Sequence, residues 1–251
     1  METQELVDIQ SAINNFGCGF EEKIVSALGL QPGEDFSDVA SLTNVMGHDC
    51  GSVRVYRNDT RGLIEKAAFL SIGMMPGMRY FNIHIIPKPQ FNIPRFSFEG
   101  MLNAKGSQLS VDLYPDLDVS MNLDYFHQHY QRAHVAYQRA RFEDDCLHIE
   151  TSRLMHMRAA CSPYLLLAYG IAPDNLEKFS GYAEAYLEDW LALCRMAMDL
   201  SEEEATQKIA RRAGIMQAII DADPDRDKVV MLFGEAITQR IEQATMLADL
   251  Q

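Results

Sequence analysis

The sequence predicts an α/β protein in which helices flank a central antiparallel β-sheet, as an α+β fold or, as we expect, a three-layer α/β/α sandwich. Strand-like segments follow one another closely between residues 52 and 114, with short turns between them. This spacing is typical of antiparallel pairing. Helical patterns dominate from residue 174 onwards. Strands that precede a block of helices favour a sheet covered by helices.

The chain is long enough to form one substantial core, with 251 residues of which 47% are apolar. It contains no repeat, low-complexity tract or Gly/Ser/Pro-rich linker, so we expect a single domain over residues 1–251. No apolar run approaches the ~18 residues that a membrane span needs. The N-terminus carries no secretory signal pattern. We therefore expect a monomeric cytoplasmic protein that does not bind a membrane.

Charge and cysteine content exclude several classes of function. The formal net charge of −14 opposes binding to nucleic acid. The five cysteines are scattered and include no CxxC pair, which argues against disulfides, structural zinc and an iron–sulfur cluster. Any redox chemistry would therefore need an outside source of electrons. The cysteines are Cys18, Cys50, Cys146, Cys161 and Cys194.

The first two-thirds of the chain hold the predicted strands. A helix is predicted over Asp8–Leu28, before the first strand, and another over Asp124–Arg141, after the main group of strands. The predicted strands are, in order, a segment beginning at Ser52, then Leu63–Gly73, Tyr80–Ile86, Phe96–Leu102, Leu109–Tyr114 and Tyr164–Leu167.

Three helices are predicted in the last third of the chain. Asp174 and Glu177 have the spacing of a capping box at the start of the first, and Ser201 and Glu204 repeat it at the start of the second, Glu202–Ile220. Asp223, followed by a proline, predicts the start of the third. Large apolar side chains recur at helical spacing in the first and are more typical of core packing than of a ligand site. They are Phe179, Tyr182, Tyr186, Trp190 and Leu193.

Three consecutive predicted strands carry polar side chains on one face and apolar side chains on the other. Alternate residues of a strand share a face. Such a sheet is either half exposed to water or forms the floor of a polar pocket, and we favour the pocket. The polar residues that share a face are Asn82 and His84 in the first strand, Ser97 and Glu99 in the second, and Ser110 and Asp112 in the third.

Glu99 and Asp223 are the strongest candidates for acid–base chemistry. A carboxyl group at Glu99, between aromatic neighbours, would become a proton donor near neutral pH if burial raised its pKa. The alternative is a glutamate on a solvated sheet face. Asp223 has the simpler reading of a helix N-cap. His84 alone fits a structural histidine, since a metal site needs more ligands, and Asp112 fits a hydrogen bond to the turn before Pro115.

Four segments, in the same order, resemble the ferredoxin-dependent bilin reductases, which act on open-chain tetrapyrroles. Asn82–Gly100, NIHIIPKPQFNIPRFSFEG, resembles the central block of that family. Asp112-Leu-Tyr-Pro resembles the end of its next strand, and Cys161-Ser-Pro-Tyr-Leu resembles its later serine-centred strand. Ala222-Asp-Pro-Asp-Arg, followed by Leu232-Phe-Gly-Glu-Ala, resembles its C-terminal motifs. The resemblance extends over roughly residues 50–240.

The resemblance implies that a linear tetrapyrrole binds between the sheet and the C-terminal helices. Ferredoxin would supply electrons, and side chains would supply protons, with no bound cofactor. Glu99 falls where most family members have a catalytic aspartate, and Asp223 falls on the second catalytic aspartate. Asn82 falls at a position that is histidine or asparagine in different branches. Together with the polar sheet face and the cationic side chains, this leads us to expect substrate-binding residues at Asn82, His84, Ser97, Ser110, Asp112 and Arg226.

Several departures indicate a divergent member. Glu99 is longer than aspartate by one methylene group, which moves its carboxyl group by about 1 Å. The related red chlorophyll catabolite reductases also combine a glutamate with an aspartate. Ala222 replaces the usual asparagine, and Ala236 stands where tryptophan is usual.

We therefore expect ferredoxin-dependent reduction of biliverdin or a dihydrobiliverdin to a phycobilin-type product. The alternatives are a reductase of another open-chain tetrapyrrole, such as a chlorophyll catabolite, a non-catalytic bilin-binding protein, and an unrelated sandwich. Lys88, Arg95 and Lys105 are expected to form a basic patch for acidic ferredoxin. The candidate partners for pigment propionates are Arg79, Lys88, Arg95, Lys105, Arg211 and Arg226.

Overall fold

A continuous antiparallel sheet forms the middle layer of the protein. The computed structural model describes residues 2–75 and 77–247, and within them eight strands belong to this sheet. The strands are β1 (Gln31–Pro32), β2 (Leu42–Thr43), β3 (Asp49–Arg57), β4 (Ile64–Met75), β5 (Met78–Pro87), β6 (Arg95–Asn103), β7 (Ser107–Tyr114) and β8 (Leu166–Ile171). Their order is β1-β3-β4-β5-β6-β7-β8, with β2 also paired to β3. Short connections between sequential strands produce this meander.

Helices cover both faces of the sheet, which confirms the predicted three-layer sandwich. Helices α1, α2, α3 and α5 pack on the apolar face, whereas α6, α7 and α8 pack on the opposite face. In the described part of the chain, no helix is long and apolar enough to cross a bilayer. The helices are α1 (Glu2–Asn15), α2 (Cys18–Leu28), α3 (Leu123–Gln138), α4 (Met155–Ala160), α5 (Leu176–Arg195), α6 (Glu202–Asp221), α7 (Arg226–Phe233) and α8 (Glu235–Thr245).

The apolar face of the sheet forms the main core. Phe81 on β5 and Phe98 on β6 pack edge to face, with ring centroids 5.0 Å apart. Trp190 is completely buried, and its indole nitrogen donates to the carbonyl of Pro94 at 2.8 Å. Most of the predicted stripe on α5 lies in this core, as expected, while Tyr182 at its edge is half-buried.

Helix boundaries differ from the predicted ones where the backbone changes conformation. The predicted helix Asp8–Leu28 is two helices, because Gly17 adopts a left-handed conformation with φ of 76°. The predicted helix Asp124–Arg141 keeps its α-helical hydrogen bonding only to Gln138 and continues as a five-residue π-helix. The last predicted strand, Tyr164–Leu167, is displaced towards the C-terminus as β8.

Only one of the two predicted capping boxes forms. The backbone N–H of Glu204 donates to Ser201 Oγ at 3.3 Å, and the N–H of Ser201 donates to Glu204 Oε2 at 2.9 Å. The box predicted at Asp174 is wrong. Pro173 begins a short 3₁₀ turn that contains Asp174, so α5 begins later, at Leu176, without a side-chain cap.

The third C-terminal helix also begins later than predicted. Asp223 lies in the turn between α6 and α7, and its Oδ1 accepts the N–H of Asp225 at 2.8 Å. Helix α7 then begins at Arg226. Asp223 therefore stabilises the turn with one oxygen atom rather than capping the helix, which leaves the other oxygen available for a second role.

Candidate functional site

The register of the sheet brings the predicted polar residues together on one face. Asn82 on β5 lies directly opposite Glu99 on β6, and Glu99 lies opposite Ser110 on β7. The next row places His84, Ser97 and Asp112 opposite one another. Directly opposed residues of an antiparallel pair point to the same side. The structure thus gathers six predicted site residues into two adjacent rows on the face covered by the C-terminal helices.

Glu99 is half-buried, and its two oxygen atoms have different partners. Oε2 accepts the Tyr80 hydroxyl at 3.1 Å and the Asn82 amide nitrogen at 2.9 Å. Within residues 2–75 and 77–247, the only hydrogen-bond partner of Oε1 is the Ser110 hydroxyl, at the long distance of 3.5 Å. Sequence reasoning missed Tyr80, although strand alternation could have found it, because Tyr80 precedes Asn82 by two residues on the same face.

Asn82 presents a buried hydrogen-bond acceptor without a partner. The side chain is only 7% exposed, and no group in the described part of the chain donates to its Oδ1. A buried carbonyl oxygen without a partner carries a desolvation cost of about 1–3 kcal/mol. A ligand N–H that reached this oxygen would remove that cost.

Asp223 approaches the same region from the turn between α6 and α7. Partial burial of its carboxyl group raises its pKa, as does the charge of Asp225, while the N–H of Asp225 and the positive charges of Arg226 and His156 lower it. Burial also raises the pKa of the Tyr80 hydroxyl well above 10.0, and the charges of Glu99 and Asp223 add to that shift. Both predicted acids therefore act on Tyr80, Glu99 through a hydrogen bond and Asp223 through its charge.

His84 contacts the protein scaffold through both ring nitrogen atoms, and its role in substrate binding stays a prediction. Its Nδ1 lies 2.8 Å from the Thr245 carbonyl, and its Nε2 lies 3.5 Å from Arg95 Nη1. Burial and then the charge of Arg95 lower its pKa to about 3, so the imidazole is neutral. Nδ1–H must donate to Thr245, and the Nε2 lone pair faces Arg95. His84 thus fastens α8 to the sheet.

Arg95 belongs to a buried ionic cluster rather than to a docking surface. Its Nε donates to Asp116 Oδ1 at 2.6 Å, and Arg212 on α6 donates to Asp116 Oδ2 at 2.9 and 3.0 Å. Arg95 and Asp116 are fully buried. The cluster fixes α6 to one end of the sheet.

The predicted basic patch for ferredoxin is wrong. Lys88 follows β5 at the same end of the sheet as Arg95, whereas Lys105 lies in the β6–β7 turn at the other end. The nine residues of β6 separate these ends by roughly 30 Å, given the rise per residue of a strand. The three residues had been grouped only because all of them were expected in loops near one end of the sheet.

Other predicted partners for propionates are also engaged by the protein. Arg226 donates to Glu235 at 2.8 Å and Glu242 at 2.7 Å, so it joins α7 to α8, and its contact with substrate stays a prediction. Arg79 donates to the carbonyls of Asn14 and Phe16 at the end of α1. Binding a carboxylate through either arginine would require these contacts to break.

Asp112 anchors the segment that follows α4. It is 1% exposed, and it accepts both the N–H of Ser162 at 2.8 Å and the Ser162 hydroxyl at 2.5 Å. Burial raises its pKa to about 6, although the hydrogen bonds from Ser162 oppose the shift. The predicted hydrogen bond to a local turn is therefore a long-range bond, and Ser162 is a partner that the sequence did not identify.

Asp112 should make stability depend on pH in an unusual direction. In the unfolded chain it ionises above its ordinary pKa of 3.8, but in the folded protein only above about 6. Between these values the folded state holds the extra proton, so the free energy of unfolding should fall by roughly 3 kcal/mol as pH rises. Asp112→Asn should remove this component in urea titrations at pH 4 to 7. Equal pH slopes in both proteins would contradict this assignment.

Other candidate ligand sites lack the predicted acids or a set of metal ligands. A surface cleft of about 720 Å³ is lined by Asp49, Ser52 and Arg79, among others, but contains neither predicted acid. Within residues 9–73 and 77–247, no three His, Cys, Asp or Glu side chains gather as metal ligands. The polar face is therefore the candidate site.

Comparisons with known proteins identify the fold and the family of this chain. No curated protein sequence matches the chain. The crystal structure of phytochromobilin synthase from tomato in complex with biliverdin superposes with a TM-score of 0.77, at 17% identity over 88% of this chain and 77% of that one. This similarity establishes a shared fold. The family model for red chlorophyll catabolite reductase matches residues 17–246. The chain therefore belongs to the red chlorophyll catabolite reductase family.

Proposed function

We propose that this protein reduces an open-chain tetrapyrrole, with electrons from reduced ferredoxin and protons from Glu99 and Asp223. The single observation that carries the proposal is the hydrogen bond that holds Glu99 to Tyr80 on the polar sheet face, with Asp223 near enough for its charge to act on the same tyrosine. Saturating one double bond requires two electrons and two protons. Each carboxylic acid would break its O–H bond as the pigment gains an electron and a new C–H or N–H bond, and solvent would restore the acid.

The polar face has the chemistry that such a pigment needs. Pyrrole and lactam N–H groups are donors, and Asn82 Oδ1 is a buried acceptor without a partner among the residues that the structure describes. Tyr80, Glu99 and Ser110 are only partly buried, so this row is the open part of the face. The row of His84, Ser97 and Asp112 lies deeper, where α6 and α8 cover it. Binding at the open row would leave the scaffold contacts of His84 intact.

Two pigments are candidates within this proposal. Biliverdin or a dihydrobiliverdin, reduced to a phycobilin-type product, is supported by the fold shared with phytochromobilin synthase. A red chlorophyll catabolite is supported by family membership. It is also supported by the combination of a glutamate, at position 99, with an aspartate, which this sequence shares with those reductases. A non-catalytic pigment-binding protein would retain the polar face without turnover.

Anaerobic assays with both pigments test the proposal. Purified protein should change the absorption spectrum of at least one pigment on mixing, and reduced ferredoxin should then convert the bound pigment to a product that chromatography separates. Binding without conversion, with ferredoxin shown to be reduced, would indicate a binding protein. The absence of binding to either pigment would overturn the proposal.

A further inference from the structure

Tyr80 and Asn82 saturate one oxygen atom of the Glu99 carboxyl group. Both donors, at 3.1 and 2.9 Å, point to Oε2. A carboxyl oxygen has two lone-pair positions in its plane, so two donors leave no place for a proton on Oε2. Oε1 has only the 3.5 Å contact with Ser110, which is near the limit for a hydrogen bond.

We propose that Tyr80 is a positioning residue that, together with Asn82, directs the transferable proton of Glu99 to Oε1. The inference rests on the proposed function for the identity of the acceptor, but the location of the proton is a property of the protein alone. Ser110 is half-buried and its contact is weak, so Oε1 faces the less occupied side of the carboxyl group. A pigment on that side would receive the proton from a fixed point.

Tyr80 is suited to this role because its hydroxyl remains a donor throughout the working pH range. Burial raises its pKa well above 10.0, and the charges of Glu99 and Asp223 reinforce the shift. Tyr114 and Cys161 also lie within the electrostatic reach of Glu99, and burial raises their pKa values as well. Neither Tyr114 nor Cys161 would therefore lose its proton near neutral pH.

Tyr80→Phe tests the role, and Tyr182→Phe provides a matched control. Tyr182 also donates from its hydroxyl to a carboxylate at 3.1 Å, but to Asp144, which the proposed site does not include. In Tyr80→Phe the ionised form of Glu99 loses one donor, so the protonated form should persist to higher pH. We expect pigment affinity to stay within about threefold of the wild type. The kcat at pH 7 should be roughly tenfold lower, because the proton is no longer held on one oxygen. The high-pH limb of the kcat profile should move upwards by at least about half a pH unit.

A second measurement needs neither pigment nor ferredoxin. Carboxyl ¹³C resonances of labelled glutamate, with Glu99 assigned by its loss in Glu99→Gln, should show a higher titration midpoint for Glu99 in Tyr80→Phe and no change in Tyr182→Phe. An unchanged midpoint would overturn the positioning role even if turnover fell. An altered midpoint in a protein that reduces neither pigment would support the role of Tyr80 while rejecting the proposed function.

Discussion

Glu99→Gln should retain pigment binding but lower turnover by about 10²- to 10³-fold. A positioned acid typically contributes 10²- to 10⁴-fold to a proton-transfer step. Glutamine has the same shape as glutamate, and its carbonyl oxygen can still accept from Tyr80 and Asn82, which both bond to one oxygen in the wild type. The amide N–H groups are too weakly acidic to donate a proton. We therefore expect the variant to stall after the first electron arrives, with a pigment radical visible by electron paramagnetic resonance.

The appropriate control for Glu99→Gln is Glu188→Gln. Glu188 is an exposed residue whose ion pair with Lys23, at 3.1 Å, lies outside the proposed site. This control should show wild-type kcat. Turnover by Glu99→Gln within about threefold of the wild type would remove Glu99 from the mechanism.

The corresponding Asp223→Asn variant should keep the turn, because asparagine Oδ1 can accept the N–H of Asp225. This variant should accumulate a different partly reduced species.

Asp116→Asn should lower the free energy of unfolding by about 3–5 kcal/mol, the usual result of removing one partner from a buried ion pair. Burial opposes ionisation of Asp116, but the charges of Arg212 and Arg95 prevail and hold its pKa below the usual range. Removing this anion would leave the buried guanidinium group of Arg95 without its counter-ion, whereas Arg212 would keep its ion pair with Glu65 at 3.2 Å. Arg95 already has a buried Nη2 with no partner among the described residues. Urea unfolding at pH 7 measures the change.

Asp118→Asn is the control for this stability prediction. Asp118 is half-exposed and lies 4.0 Å from Arg211, so its loss should change stability by less than about 1 kcal/mol. A similarly small change in Asp116→Asn would show that the buried cluster does not hold α6 against the sheet. Since α6 leads directly into the turn that carries Asp223, Asp116→Asn should also weaken pigment binding.

Alternation along single strands was sufficient to predict the sheet and its polar face. Asn82, Glu99 and Asp112 each occupy the face that period-two counting assigns to them, because one face of every central strand must fill the apolar core. The order of elements was sufficient to predict three layers. These features depend on neighbours in the sequence, so they can be inferred from one chain.

The roles of individual polar side chains depended on partners distant in sequence. His84 bonds to Thr245, and Arg95 reaches Asp116 and approaches Met216. The strand pattern gives no indication of these contacts. Lys88 precedes β6 and Lys105 follows it, so the two lysines lie at opposite ends of this strand. This separation becomes evident only when both ends of the strand are compared.

The most direct test of the account is a crystal structure of the protein with a bound linear tetrapyrrole. We expect the pigment between the polar sheet face and the turn after α6, with the Glu99 and Asp223 carboxyl groups contacting it and Asn82 Oδ1 accepting one of its N–H groups. A pigment seated instead in the cleft beside Asp49 and Arg79, or touching only one of the two acids, would contradict it.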